Sequence, residues 1–134
     1  MKIVKLADHL AVSEQILQQD IPEIVAQGYK VLINNRPDNE AEGQPNSDDI
    51  KTAALAAGLE YHYLPVTAGD FPGAAASEMA VLLHHQDKPV LAFCRTGTRC
   101  ANLWVATASP EAREEFRRQA QALGYDLAMS DAAC

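Results

Sequence analysis

The sequence of 134 residues lacks several features that would assign it at once to a large class of proteins. It has no apolar run near the roughly 20 residues that a membrane-spanning helix needs, and its N-terminus has no signal-peptide pattern. It has no run of Lys and Arg, and its net charge of −7, from 18 acidic and 11 basic residues, opposes binding to a phosphate backbone. We therefore expect neither a membrane nor a nucleic acid as partner.

Cysteine is also scarce, since the chain has only Cys94, Cys100 and Cys134. Three cysteines do not make a disulfide framework, so a reducing compartment is favoured and we expect a cytoplasmic protein. Their spacing is not that of a zinc site, and the adjacent His84 and His85 face different sides of a helix. We therefore predict no metal and no cofactor.

What the chain does contain is an alternation of strand-like and helix-like segments. Its length suits one domain over residues 1–134, and its composition, 48% hydrophobic and 22% charged, is that of a globular protein. Strands are predicted at 30–34, 61–66 and 88–93 after an opening pair within 3–12, and helices at 20–28, 46–57, 74–86, 100–108 and 109–124. This order predicts an α/β fold, a single domain whose mostly parallel central sheet carries helices on both faces.

Three predicted loops follow strands of this sheet, at residues 35–46, 67–73 and 94–99. In open α/β sheets, ligands bind beyond the carboxyl ends of the strands. We therefore expect the functional residues in these three loops.

The segment Cys-Arg-Thr-Gly-Thr-Arg, residues 94–99 and here called the cysteine loop, combines a nucleophile with an anion site. Backbone N–H groups of a tight loop that opens onto a helix converge on an anion, and Gly97 gives the turn its freedom. Arg99 can bind an oxyanion through two hydrogen bonds, and the positive environment lowers the pKa of Cys94. Catalytic roles are predicted for Cys94 and Arg99. Substrate-binding roles are predicted for Arg95, Thr96, Gly97 and Thr98. The alternative is that Cys94 is a small buried residue at the end of a strand.

Three segments resemble, in the same order, a known bacterial family: residues 29–38 (YKVLINNRPD), 58–66 (GLEYHYLPV) and 89–100 (PVLAFCRTGTRC). It is the phosphatase-like domain family of beta-lactamase-hydrolase-like proteins, and the resemblance spans roughly residues 1–125. It implies the fold of cysteine-dependent dual-specificity phosphatases. In fused relatives the domain precedes a persulfide dioxygenase, so the resemblance also implies such an enzyme as a partner in trans.

The cysteine loop departs from the phosphatase pattern in its length. Phosphatases have C-x5-R, whereas this loop is C-x4-R, with the C-x-x-G-x-R spacing of rhodaneses. The smaller ring of N–H groups should accept the terminal sulfur of a persulfide more readily than a phosphoryl group. The chain lacks the Gly-His-Ile and Gly-Ala segments typical of rhodaneses, so the fold and the loop indicate different chemistries.

We give the loop precedence for chemistry, because function lies in the site and not in the fold. The first hypothesis is a sulfurtransferase in which Cys94 takes sulfur from a small anionic donor and carries it as a persulfide. The alternative is a phosphatase that hydrolyses a phosphate ester through a phosphocysteine on Cys94. A third hypothesis is a non-catalytic module that binds an anion.

Two residues outside the cysteine loop are candidates for supporting roles. Asp70 lies on the loop where a phosphatase of this fold carries its general acid, although the composition there suits a simple turn equally well. Arg36 follows a predicted strand and could add positive charge to the same crevice. The alternative for Arg36 is a surface ion pair with Asp38 or Glu40.

Two residues of the PVLAFCRTGTRC segment have two interpretations each. Arg95 is expected at the rim of the pocket or in solvent, and the alternative is that it points toward the substrate. Cys100 is favoured as a packing residue at the start of a helix, and the alternative is a resolving thiol that forms a disulfide with Cys94 under oxidation.

Overall fold

A computed structural model of the chain describes residues 1–84 and 88–133, and side chains for residues 1–84 and 88–131. Five strands form one sheet in the order β1-β2-β5-β3-β4. They are β1 Ile3–Ala7, β2 Leu10–Ser13, β3 Val31–Asn34, β4 Glu60–Tyr63 and β5 Val90–Phe93. Only β1 and β2 pair antiparallel, while β2, β5, β3 and β4 run parallel. The predicted α/β fold with a mostly parallel sheet is confirmed.

Helices cover both faces of the sheet, as predicted. They are α1 Ile21–Ala26, α2 Ser47–Ala56, α3 Gly73–His84, α4 Thr98–Thr107, α5 Arg113–Ala122 and α6 Ala128–Ala133. All four residues of β5 are buried, and they alternate between two apolar clusters. Val90 and Ala92 pack in the cluster that contains α3 and α4, and Leu91 and Phe93 in the one that contains α1 and α2. No helix among the described residues is long and apolar enough to cross a membrane.

Some predicted boundaries are wrong. The strand predicted at 61–66 ends at Tyr63, because the N–H groups of Leu64 and Val66 donate to the consecutive carbonyls of Asn34 and Asn35, which breaks the regular register of the parallel ladder. The last helix starts at Arg113 and not at residue 109, and α6 follows where no element was predicted. The predicted end of the helix at 74–86 lies outside the described residues.

The boundary that matters most lies inside the cysteine loop. Gly97, with φ of +91°, is the N-cap of α4, so the helix begins at Thr98 and not at Cys100. Thr98 and Arg99 therefore belong to the first turn of a helix. The turn that precedes the helix comprises only residues 94–97.

The two loops of the site follow neighbouring parallel strands, β3 and β5. The N–H of Asn35 donates to the carbonyl of Phe93 at 2.9 Å, and the N–H of Cys94 faces the carbonyl of Ser13 at 3.4 Å. The segment after β3, residues 35–46 and here called the β3–α2 loop, thus leaves the sheet beside the cysteine loop and at the same edge.

Candidate active site

Cys94 lies at the centre of a ring of donors. Its side chain is buried, and the Gly97 N–H donates to its Sγ at 3.1 Å. The backbone N–H groups of Thr96 and Cys100 also favour the ionised form of this sulfur. A Cβ on Gly97 would lie 3.4 Å from the Tyr125 hydroxyl and 3.5 Å from the Ser13 carbonyl, so glycine suits both the space and the positive φ.

These hydrogen bonds make Cys94 a thiolate at neutral pH. The largest contribution is the hydrogen bond from the Cys100 thiol; with the backbone N–H donors it outweighs the opposing effect of burial and lowers the pKa of Cys94 to about 5. The pKa of Cys100 is raised well above its usual value, first by burial and then by the Cys94 sulfur. Cys100 therefore stays protonated and remains a donor. The sequence pattern attributed the low pKa to positive charge, whereas hydrogen bonding is its leading cause.

Arg99 forms a two-pronged ion pair with Glu40 of the β3–α2 loop. Its Nη1 and Nη2 each lie 2.7 Å from one carboxylate oxygen, and Nη1 also donates to the carbonyl of Val66 at 3.1 Å. The hydrogen bond from Arg99 is the main reason that the pKa of Glu40 is lowered. Arg99, the residue predicted to bind the anionic substrate, thus already binds a carboxylate of the protein itself.

Arg36 joins the same cluster from the other side. Its side chain is only 6% exposed, its Nε donates to Glu40 at 3.0 Å, and its Nη1 donates to the Oε1 of Gln15 at 3.1 Å. The two alternatives for Arg36 are therefore combined, since it pairs with Glu40 and is also buried in the crevice beside Arg99. The surface location proposed for this pair is wrong.

The β3–α2 loop has few regular elements but many internal hydrogen bonds. The Glu40 N–H donates to the Gln44 side chain, which itself donates to the carbonyl of Pro37. The Ser47 N–H donates to the Asp38 carboxylate at 2.8 Å, which ties the end of the loop to α2. These contacts fix the backbone that presents Glu40.

The side chains of Arg95 and Thr96 are exposed, and that of Thr98 is half-buried. The Arg95 side chain is exposed, as expected for the rim or solvent, and its carbonyl accepts from the Gln15 N–H at 3.3 Å. The Thr96 hydroxyl is 3.0 Å from that of Thr98 and 3.4 Å from the Thr98 N–H. The Thr96 side chain therefore stabilises the first turn of α4.

Asp70 is not brought to the sulfur by any contact within the described part of the chain. It is exposed and ends a short 3-10 turn, Ala68–Asp70, and its N–H donates to the Thr67 carbonyl. Its carboxylate lies beside Gly73, at 3.4 Å from the position of a Cβ there. This environment matches the turn alternative, and the general-acid role stays a prediction.

Several residues of the site were not predicted. Gln15 binds the buried Arg36 and the Val66 carbonyl binds the half-buried Arg99, and the role of Glu40 as their common partner was missed. Tyr125 lies against Gly97, and its pKa is raised mainly by burial and further by the two sulfur atoms. Among residues 1–84 and 88–133 no group of three His, Cys, Asp or Glu side chains could hold a metal ion.

Solved structures show the same arrangement of elements. A protein from Neisseria meningitidis Z2491, described as a candidate phosphatase, is 41% identical, with a TM-score of 0.78 over 96% of this chain and 92% of that one. Kinase-associated phosphatase is 14% identical with a TM-score of 0.72, over 98% of this chain and 88% of that one. At that identity the likeness concerns the fold alone, which is that of the cysteine-dependent phosphatases.

Relatives in sequence are longer proteins. The beta-lactamase hydrolase-like protein of Agrobacterium fabrum is 35% identical over 130 residues, which are 95% of this chain and 30% of that protein. The corresponding Xylella fastidiosa Temecula1 protein is 32% identical over the same shares. This chain thus spans about a third of the length of these relatives. The family model for the phosphatase-like domain of beta-lactamase hydrolase-like proteins matches residues 2–110, and the chain belongs to that family.

Proposed function

We propose that this domain is a cysteine-dependent phosphatase that hydrolyses phosphate monoesters through a phosphocysteine on Cys94. The observation that carries the proposal is a buried cysteine with a pKa of about 5, held in a ring of N–H donors on a phosphatase-like fold. This choice replaces the sulfurtransferase as first hypothesis, because the fold and the relatives support phosphatase chemistry and only the loop length favours sulfur transfer.

In this mechanism the Cys94 thiolate attacks phosphorus and the bond to the ester oxygen breaks. The N–H donors of the turn and the Arg99 guanidinium stabilise the oxygens of the phosphoryl group in the transition state. The leaving alkoxide takes a proton, for which Asp70 is the candidate acid. Water then attacks phosphorus, releases inorganic phosphate and restores the thiolate, which the Cys100 thiol stabilises as a leaving group.

A sulfurtransferase remains the second candidate because the loop is C-x4-R, one residue shorter than the phosphatase pattern. In that chemistry Cys94 attacks the outer sulfur of a donor such as thiosulfate and sulfite leaves. The resulting Cys94 persulfide then passes its outer sulfur to an acceptor thiol. The partner proposed for this candidate is a persulfide dioxygenase on another chain. Both candidates need reduced Cys94 and Cys100, which supports a cytoplasmic location.

The proposal is tested through Asp70, because the two chemistries differ in their need for an acid. A positioned general acid contributes about 10²–10⁴-fold when the leaving group is poor. We expect Asp70→Asn to slow hydrolysis of an alkyl phosphate by about a hundredfold or more and to leave thiosulfate-to-cyanide sulfur transfer unchanged. Both reactions are measured by steady-state kinetics on one preparation of each variant.

The matched control is Asp8→Asn, which removes the same charge from the turn between β1 and β2 at the opposite edge of the sheet. It should change neither rate. Mass spectrometry of quenched reactions should detect a phosphoryl group on the wild type and none on Cys94→Ser. Fast thiosulfate turnover with a Cys94 persulfide, and no phosphate release, would replace the proposal by the second candidate.

A further inference from the structure

The ion pair between Arg99 and Glu40 determines which donors of Arg99 remain for a substrate. A guanidinium has five N–H donors in a fixed plane. Glu40 binds one proton on each Nη, at 2.7 Å, and the Val66 carbonyl binds the other proton of Nη1. Within the described part of the chain, the Nε proton and the second Nη2 proton have no partner, and these two lie along one edge of the plane. Arg99 can therefore still bind an oxyanion with two parallel hydrogen bonds, but along that edge alone.

Glu40 is itself held so firmly that a substrate is poorly placed to displace it. Arg36 binds the same carboxylate, and this arginine is nearly as buried as the core. Moving Glu40 away would leave Arg36 with Gln15 as its remaining side-chain partner among the described residues, and an uncompensated buried charge is costly. The Glu40 backbone is further held by Gln44. The carboxylate behaves as a fixed support of Arg99.

We propose that Glu40, supported by Arg36, is a positioning residue that fixes Arg99 so that its Nε–Nη2 edge binds the anionic group of the substrate. The inference rests on the proposed function, since it assumes that this group reacts at Cys94. It extends that function to the β3–α2 loop, from which a carboxylate, a negative group, improves the binding of a negative ligand.

The direction in which anion binding changes when Glu40 is neutralised tests the inference. If Glu40 were only a competitor for Arg99, its neutralisation would tighten anion binding. If Glu40 positions Arg99, Glu40→Gln weakens anion binding although it removes a negative charge from the site. At metal sites, mutation of a residue that orients a ligating side chain typically lowers affinity or activity about 10- to 100-fold, and we expect a loss of affinity of that order here.

The experiment measures anion binding without turnover. Iodoacetamide, which is neutral, alkylates the Cys94 thiolate, and inorganic sulfate at constant ionic strength should slow this reaction by occupying the ring of donors. We expect Glu40→Gln to need at least about tenfold more sulfate for half-protection than the wild type. Protection is expressed relative to the alkylation rate of each variant without sulfate, so a change in the reactivity of Cys94 itself does not enter the comparison.

Glu42→Gln is the matched control, because it removes the same charge from an exposed position of the same loop. Sulfate should protect Cys94 of Glu42→Gln as well as it protects Cys94 of the wild type, or slightly better. In an Arg99→Ala background, Glu40→Gln should have no further effect on sulfate protection, since Glu40 acts through Arg99.

The inference is overturned if sulfate protects Cys94 of Glu40→Gln from alkylation as well as, or better than, it protects Cys94 of the wild type. If Glu40→Gln does not fold, Glu40→Asp replaces it, because the shorter carboxylate keeps the charge but not the reach to both Nη atoms; it should weaken protection in the same direction. A slow, ordinary thiol at position 94 in the wild type would instead contradict the proposed function.

Discussion

The two loops that meet in the site bind charge in different ways. The cysteine loop stabilises a negative sulfur with backbone N–H groups and one thiol, all within six residues of Cys94. The β3–α2 loop has a carboxylate, Glu40, that binds two arginines, and one of these lies 59 residues away in sequence. The first arrangement is local and the second depends on the sheet.

This difference separates two properties of the site. The low pKa of Cys94 depends on the turn and on the start of α4, so it should survive changes in the β3–α2 loop. The orientation of Arg99 depends on both loops, so it should respond to changes in either. Variants that affect reactivity and anion binding separately test whether the two loops are independent in this way.

The largest effect is expected from the nucleophile, on which both candidate reactions depend. Cys94→Ser should reduce phosphate-ester hydrolysis and sulfur transfer by at least roughly a thousandfold, because a serine hydroxyl is not ionised by these donors. The measurement is steady-state turnover of both substrates by folded protein. Sulfate binding, followed by calorimetry, should remain, because Arg99 and the N–H donors are unchanged.

Circular dichroism spectra and the denaturation midpoint serve as controls for the fold of Cys94→Ser. A folded variant that keeps most of its activity contradicts every catalytic role assigned to the cysteine loop. Retained sulfate binding with no activity in the wild type itself would support the third hypothesis, an anion-binding module.

A smaller effect is expected from the arginine that links the two loops. Arg99→Lys keeps the charge but can neither bridge both oxygens of Glu40 nor bind an oxyanion with two parallel hydrogen bonds. We expect turnover of an anionic substrate to fall by roughly a hundredfold. The measurement is kcat/KM, with the iodoacetamide rate of Cys94 as a separate assay of the thiolate.

Arg95→Lys is the control for this prediction, because Arg95 is exposed and adjacent to Cys94 in sequence. Its effect should be several times smaller than that of Arg99→Lys. The reverse order would show that the wrong arginine has been assigned to the anion.

The sequence was sufficient for the features that depend on neighbours along the chain. Apolar segments such as Val31–Asn34 and Val90–Phe93 are strands because they are buried on both faces, and the Gly97 turn follows from a strand that meets a helix. The β4 boundary was missed because the change of register after Tyr63 depends on the partner segment after β3, which the apolar pattern does not show. The short helix α6 has no clear periodic pattern, and it packs on α4.

The features that were missed are those that require two distant segments. Nothing near Glu40 in the sequence indicates that its carboxylate reaches Arg99, since that contact exists only because β3 and β5 are neighbours. Cys100 was interpreted as a packing residue from its position. It is indeed buried, but its thiol also donates to Cys94, a direction that sequence spacing does not determine.

The smallest effect, and the most local, is expected at Cys100. Cys100→Ala removes the hydrogen bond that contributes most to the low pKa of Cys94, while the N–H donors of Thr96 and Gly97 remain. The pKa of Cys94 should therefore rise from about 5 but stay below that of a free thiol. It is measured from the pH dependence of iodoacetamide alkylation, in a background where Cys134 is replaced by Ala. At a pH below the pKa, each unit by which the pKa of Cys94 rises lowers the alkylation rate about tenfold. The ratio of the wild-type rate to the variant rate is therefore largest near pH 5 and approaches one at alkaline pH.

Cys100→Ser decides whether the hydrogen bond or the packing of Cys100 is responsible, because a hydroxyl is of similar size and is a better donor than a thiol. It should restore a pKa of Cys94 near that of the wild type, although it places a more polar group in a fully buried position. If both variants raise the pKa equally, packing around the first turn of α4 determines it. If neither does, the backbone donors are sufficient.

Sulfate protection should be unchanged in Cys100→Ala above the pKa of Cys94, because Glu40 and Arg36 still fix Arg99 from the β3–α2 loop. A loss of protection there would show that the two loops do not act independently.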